Sequence, residues 1–450
     1  MSYRKKDKAP GDDAWIKAVK PDISPPSLED NTADADRLIR SLKKLCGGEQ
    51  VSVDLETVRG LPRLLRQHDY DIHVMVYRHW GAWHIIDVLP SSGFSGLYGL
   101  AMDLGTSTVV LRLLDLLTGQ IIDETSFHNP QIQFGADILT RIHFATQGNG
   151  LSTLQGLLVT RLNEEITRIE ESHGIPAQSI AGMAFAGNTT MTHLFLGLDP
   201  FQICREPYIP AVNKPDLVKS PQLGLKMNPR APVLAFPNVG SYFGGDLVAG
   251  ILASGLYTQD DISFLVDVGT NAEVVIGNRE WLMGCAGAAG PALEGGVASM
   301  GMMAGPGVID RVEIEGLSSD FKVRTIDGLP AIGICGSGLI DLAAQMFQAG
   351  MIDMRGKFVP EACGERLRSV DGMQTLVVVE ARDSGTGEPL IISQADIDGL
   401  IRSKAAMYTI LTTISNTVGI PLKDIGRFYI AGTFGSYIDP VSAITIGMIP

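Results

Sequence analysis

Two copies of one short motif hold the residues of this chain best suited to chemistry: Asp103-Leu104-Gly105-Thr106-Ser107-Thr108 and Asp267-Val268-Gly269-Thr270-Asn271. Each follows an apolar run (residues 99–102 and 262–266) and leads into another (109–114 and 272–276). An aspartate, a glycine and then hydroxyl or amide side chains therefore enter a tight turn between two buried strands. Glycine at the bend lets backbone N–H groups close around phosphate oxygens, because no Cβ blocks the approach. An aspartate at the strand end can hold a hydrated Mg²⁺ beside the same phosphates. Asp103 and Asp267 are thus the candidate catalytic carboxylates, holding Mg²⁺ through water. Gly105, Thr106, Ser107, Thr108, Gly269, Thr270 and Asn271 are the candidate phosphate contacts. One such motif alone reads as a turn capped by its aspartate. Two, each heading a meander, point to a nucleotide clamped between two related lobes.

Other glycine-bearing turns are expected to complete the site. The run from Phe428 to Ala431 enters Gly432, Thr433 and Gly435, where a strand, a glycine and a helix start allow close approach of adenosine and offer N–H groups to an anion. Gly336, Ser337 and Gly338 are either a helix start capped by Ser337 or a nucleotide contact. Gly187-Asn188-Thr189-Thr190 ends a buried strand and opens a helix, so Asn188 and Thr189 cap that helix or sense phosphate. Residues 284–296 are small and uncharged apart from Glu294, suited to packing against another backbone or a flat cofactor. Asp137 and Arg141 stand at i,i+4 and read as a solvated helix face, with Ile138, Leu139 and Ile142 inward. Such an exposed pair contributes only about 0.2–0.5 kcal/mol. The eight histidines form no H-x-x-x-H or H-E-x-x-H pattern, and His193 reads as structural. No nucleophile triad is evident.

The elements that must position these turns fit within 450 residues of 45% hydrophobic content, enough for two or three domains. Residues 1–26 are charged and proline-bearing and read as a tail or linker. Residues 27–95 read as a small α/β unit, and 96–450 as a large α/β domain. In the latter, strands are expected at 99–104, 108–115 and 119–127, helices at 134–146 and 151–173, and a strand at 180–186. A helix at 243–254 precedes a second meander from 262. Helices at 337–349 and 393–418 and a strand at 428–431 follow. Strand-strand-strand-helix-strand-helix, begun twice, implies a duplicated fold. The net charge of −14 argues against nucleic acid and anionic membranes as partners. No run approaches the roughly 18 apolar residues of a membrane span, and residues 1–13 lack a signal-peptide core, so a cytoplasmic location is expected. Cys46, Cys204, Cys285, Cys335 and Cys363 form no C-x-x-C pair, which argues against an iron–sulfur cluster within this chain. A cluster bridging two subunits stays open.

The paired Asp-x-Gly-Thr turns and the late Ala431-Gly432-Thr433-Phe434-Gly435 resemble the superfamily of acetate and sugar kinases, heat-shock cognate proteins and actin. The chain is most similar to the reductive activators of corrinoid proteins. That resemblance rests on residues 101–108, Asn129-Pro130-Gln131, 135–142, 186–191, 267–273, 289–295, 336–341 and 429–440. Residues 26–34 resemble the start of that family's small middle domain. The resemblance implies a duplicated actin-like, ribonuclease H-like two-lobe ATPase domain that binds ATP and Mg²⁺. It implies ATP-dependent return of an oxidised corrinoid methyl-carrier from Co(II) to Co(I), with lobe closure favouring the electron-accepting complex. A corrinoid protein touching residues 284–296, a ferredoxin-like electron donor and a homodimer are the implied partners. The family's usual ferredoxin-like domain has no cysteine cluster here, and the chain stops at Pro450 where the superfamily adds a strand and helix. A fragment is therefore expected, binding nucleotide but not shuttling electrons. Competing readings are a small-molecule kinase, a 2-hydroxyacyl-CoA dehydratase activator with Cys285 or Cys335 as cluster ligands, and a nucleotide-gated binding module without turnover.

Overall fold

A computed structural model describes residues 14–268, 272–287, 298–315, 320–370, 372–432 and 438–450. The chain divides into two compact units, Met1–Ala249 and Gly250–Pro450.

The first unit opens with a four-stranded sheet. Its strands are β1 (Ile16–Val19), β2 (Gln50–Ser52), β3 (Ile72–His79) and β4 (Ala82–Pro90), in the order β1-β3-β4-β2. Helices α1 (Asp34–Leu45) and α2 (Leu55–Gln67) cover it, burying Leu38, Leu42, Leu61 and Leu65 against Val74, Val76 and Trp83. Strand β1 lies within the stretch that composition assigns to a tail. Four residues among charged neighbours carry too little periodicity to announce a strand, yet they pair antiparallel with β3.

The second sheet of this unit holds β5 (Tyr98–Leu104), β6 (Thr108–Asp115), β7 (Ile121–His128), β8 (Ile180–Gly187), β9 (Val218–Lys219) and β10 (Pro232–Ala235). Its order is β7-β6-β5-β8-β10-β9. Helices α3 (Ile138–Ala145), α4 (Gly150–His173) and α5 (Thr189–Leu196) precede and follow β8, and α6 (Gly245–Ser254) comes after β10. Leu154, Leu158, Leu162, Ile166 and Ile169 of α4 repeat at helical spacing and pack on Met102, Leu111 and Phe185 of the sheet. The helix expected over 134–146 is split: residues 130–134 form a 3-10 turn, Gly135 is extended, and the Asp137 carboxylate accepts from Thr140 N (2.8 Å) to start α3.

The second unit carries β11 (Ser263–Val268), β12 (Ala272–Gly277) and β13 (Leu282–Gly287). Then come β14 (Val308–Glu315), β15 (Asp320–Thr325), β16 (Gly333–Ile334), β17 (Leu367–Val370), β18 (Met373–Val379), β19 (Leu390–Ser393) and β20 (Arg427–Ala431). The main sheet has the order β13-β12-β11-β20; β15-β14-β16 and β17-β18-β19 form two smaller sheets. Helices α7 (Gly336–Gln348) and α9 (Gln394–Val418), with the short α8 (Pro360–Cys363) between them, complete the cores. Ile340, Ala343, Leu400, Met407 and Leu411 pack on Val266, Val274 and Ile276.

The duplication is visible in the register. In the first unit a three-stranded antiparallel meander, β7-β6-β5, is extended by a parallel strand, β8. In the second, β13-β12-β11 is extended in the same way by β20. The fold is α/β, with one strand pattern used twice.

Candidate functional site

Asp103 is the penultimate residue of β5 and Asp267 the penultimate residue of β11. Asp103 pairs with Ala186 on its parallel neighbour, and Asp267 pairs with Ala431. Each alanine is followed by a glycine. A Cβ on Gly187 would stand 2.8 Å from Leu104 O, and one on Gly432 2.8 Å from both Val268 O and Asp267 Oδ1. Gly432 also has φ +87°, a region that favours glycine. The sequence thus writes Asp against Ala-Gly twice, because the backbones close too tightly there for a side chain.

The turn after β5 is held from one side. Asn129 Nδ2 donates to Gly105 O (2.9 Å), Arg141 Nη2 to Thr106 O (2.6 Å) and Asn129 N to Ser107 O (2.9 Å). Asn129 Oδ1 accepts from Gln131 N (3.0 Å), and Gln131 Nε2 donates to Leu154 O (2.9 Å), which ties these donors to α4. Thr106 Oγ1 accepts from Asn188 Nδ2 (3.0 Å), while Asn188 Oδ1 caps α5 by accepting from Met191 N (2.9 Å). Asn188 therefore both caps its helix and touches the phosphate-type turn. Thr189 Oγ1 donates to Gly240 O (3.0 Å). His193 is fully buried and satisfied: Nδ1 donates to Thr189 O (2.7 Å) and Nε2 accepts from Ala211 N (3.0 Å). Burial holds its pKa below the usual imidazole range, so it stays neutral and structural.

Arg141 corrects the sequence reading. Its side chain has no exposed surface, while Leu139, expected inward, is 64% exposed. Because α3 starts only at Ile138, its buried positions are Arg141, Ile142 and Ala145. The guanidinium also donates to Gly135 O (2.8 Å). Asp137 is the N-cap of α3 rather than a partner in a solvated pair.

Asp246 is a candidate site residue that the motifs missed. It opens α6 after Gly244-Gly245, and the space a Cβ on Gly244 would fill lies 2.4 Å from Asn188 Cα and 2.5 Å from Asp246 Oδ1. The α6 start is therefore seated on the Asn188 turn. Surrounding protein raises the pKa of Asp103, although the residue is open to solvent. Burial foremost, with the Asp103 charge adding and a hydrogen bond from Leu247 N opposing, pushes Asp246 up to about 6. The available signal was an aspartate directly after two glycines at a helix start.

Gly336, Ser337 and Gly338 form the buried first turn of α7. Cys335, not Ser337, occupies the N-cap, and Ser337 Oγ lies 3.1 Å from Cys335 Sγ. Gly338 packs against Ile309 O. Cys335 is buried, away from the solvent-facing position a cluster shared between subunits needs, whereas Cys285 is half-buried. Gly269, Thr270, Asn271, Thr433 and Gly435 lie outside the described residues, as do residues 288–296 of the expected corrinoid contact. Among the described residues no group of three or more His, Cys, Asp or Glu is placed to hold a metal, and no helix is long and apolar enough to cross a membrane.

Residues 261–450 match the family described as the C-terminal domain of RACo, the ASKHA domain; residues 98–259 match the RACo middle region and 13–93 the RACo linker region. A solved structure of a reductive activator for corrinoid, iron-sulfur protein superposes with a TM-score of 0.89 at 38% identity, covering 99% of this chain and 70% of that one. The corrinoid activation enzyme RamQ of Eubacterium limosum is 33% identical over 391 residues, 84% of this chain and 64% of that protein. A [Co(II) methylated amine-specific corrinoid protein] reductase of Methanosarcina barkeri is 24% identical over 387 residues, 79% of this chain and 66% of that protein. The chain thus spans just under two thirds of the length of these two curated relatives.

Proposed function

The chain belongs to the family of reductive activators of corrinoid proteins, and from that premise we propose that it is the nucleotide-binding part of an ATP-dependent activator that returns a corrinoid methyl-carrier from Co(II) to Co(I). One electron, from a low-potential ferredoxin-like donor outside this chain, enters the cobalt as ATP is hydrolysed to ADP and phosphate. The observation that supports this reading best is the repeated Asp-against-Ala-Gly pairing, with polar turn residues after the first aspartate held by Asn129, Arg141 and Asn188.

In this reading Gly105, Thr106, Ser107 and Thr108 take phosphate oxygens, with Gly269, Thr270 and Asn271 serving as their counterparts. Gly432, Thr433 and Gly435 contact the nucleoside, whereas Gly336–Gly338, buried at the start of α7, serve that helix's packing. Asp246, half-protonated near pH 6, is the group able to accept a proton from an attacking water. Mg²⁺ held through water at Asp103 and Asp267 would offset the negative charge of the phosphates.

Making Co(I) is uphill, so ATP must favour the state of the complex in which cobalt accepts the electron. A ligand shifts such an equilibrium only by its differential affinity for the two states. Closure of both hairpins on one nucleotide would supply that difference. The test combines the whole protein, ATP, a low-potential donor and a Co(II) corrinoid partner under anaerobic conditions. Loss of the Co(II) absorbance only when ATP is present is the expected result; an unchanged Co(II) spectrum with every component present overturns the proposal.

A further inference from the structure

Among the described residues Arg141 is the largest side chain with no exposed surface, and the carboxylate that acts on it, Asp137, does so only through space, with no side-chain hydrogen bond between them. The hydrogen-bond partners of the guanidinium are all neutral: Gly135 O (2.8 Å), Thr106 O (2.6 Å), Gln131 Oε1 (3.5 Å) and Met191 Sδ (3.3 Å). Among the described residues no carboxylate pairs with it. Asp137, one turn earlier, is exposed and spends its oxygens on Thr140 N (2.8 Å) and Thr140 Oγ1 (2.7 Å). A buried cation is normally paired, because desolvation penalises an isolated charge by several kcal/mol. Burial lowers its pKa to about 10, which still leaves it protonated at neutral pH.

The hydrogen bonds also fix which way the turn faces. In a trans peptide the N–H points opposite the C=O of the same unit. Gly105 O turns toward Asn129 and Thr106 O toward Arg141, so the N–H groups of Thr106 and Ser107 point away from both donors. Two successive N–H groups directed outward form an anion-binding concavity. Behind one face of this turn lies a buried cation with no hydrogen-bonded counter-ion, and the Thr106 and Ser107 N–H groups point the other way.

We propose that Arg141 is a positioning residue for the phosphate turn, and that the phosphate of a nucleotide bound on the Thr106 and Ser107 N–H groups is its counter-charge. This rests on the nucleotide-binding reading above. Arg141 orients the Thr106 peptide through a hydrogen bond and lends its charge to the ligand through one peptide plane. It does not touch the ligand.

The test is calorimetric titration of the wild-type chain, Arg141→Met and Arg141→Lys with ATP, tripolyphosphate and adenosine, with thermal melting to establish folding. Arg141→Met is expected to weaken ATP and tripolyphosphate by about ten-fold or more while leaving adenosine within about two-fold. Arg141→Lys, which keeps the charge but loses the planar fork, is expected to recover part of that loss. Should Arg141→Met fail to fold, the lysine variant decides by the same ratio of phosphate-bearing to phosphate-free ligand. Equal weakening of ATP and adenosine overturns the proposal in favour of a purely structural role, and so does unchanged ATP binding in both variants. A wild-type chain that binds neither ATP nor tripolyphosphate removes the nucleotide reading itself, and with it this one.

Discussion

At Asp246, folding and acidity are linked with a definite sign. Burial pushes its carboxyl up to about 6, above the ordinary aspartate range, so the folded chain holds this proton more tightly than the unfolded chain. The group's contribution to stability is therefore complete below about pH 4 and is lost as the pH climbs toward 6. Asp246→Asn removes the titration. In a chelator, urea unfolding should show the variant more stable than wild type by about 3 kcal/mol at pH 8 and no more stable at pH 4. Equal stability at both pH values would contradict this account of its surroundings. At Asp103 the expected cost is functional: Asp103→Asn should lower ATP turnover by about 100-fold with no fall in melting temperature. Asp103 stands out in the sequence only because Asp-x-Gly-Thr occurs twice, each time after an apolar run. Asp246 does not, since its setting comes from two glycines and the Asn188 turn, which chain spacing does not bring together. Arg141 was misread because an arginine at i,i+4 from an aspartate usually faces water. Only the helix start at Asp137 turns it inward.

Elements carry the site by close backbone approach and by a few buried polar links. Gly432→Ala places a Cβ 2.8 Å from Val268 O at φ +87°, so denaturant unfolding should report a loss of about 1–3 kcal/mol. The four-stranded sheet is joined to the rest of its unit through Asp87 of β4, which accepts from Arg230 Nη2 (2.9 Å) and Asn228 Nδ2 (3.1 Å). Arg230 Nη1 also donates to Thr57 Oγ1 of α2 (2.9 Å). Asp87→Ala takes the acceptor from Arg230 Nη2 and one of the two from Asn228 Nδ2, and should destabilise by about 1–3 kcal/mol, with the first sheet unfolding ahead of the rest in hydrogen exchange. Most elements were legible in the sequence where apolar residues kept a clear period, as along α4 and β5. The smaller sheets of the second unit were not foreseen, because β16 and β17 are too short, and β14 and β15 too charged, to show alternation. Strand β1 stayed hidden for the same reason.

For the whole molecule, duplication is the fact on which the proposed function rests. One strand pattern delivers an aspartate beside an Ala-Gly step in each unit. The duplication was legible because both motifs survive in the sequence. The most direct measurement is ATP hydrolysis by the wild-type protein and its Asp103→Asn and Asp267→Asn variants, with the corrinoid partner poised as Co(II) or as Co(I). The account predicts turnover that rises with the Co(II) partner, stays low with Co(I) and disappears in both variants. Turnover indifferent to cobalt state and to both aspartates would contradict it.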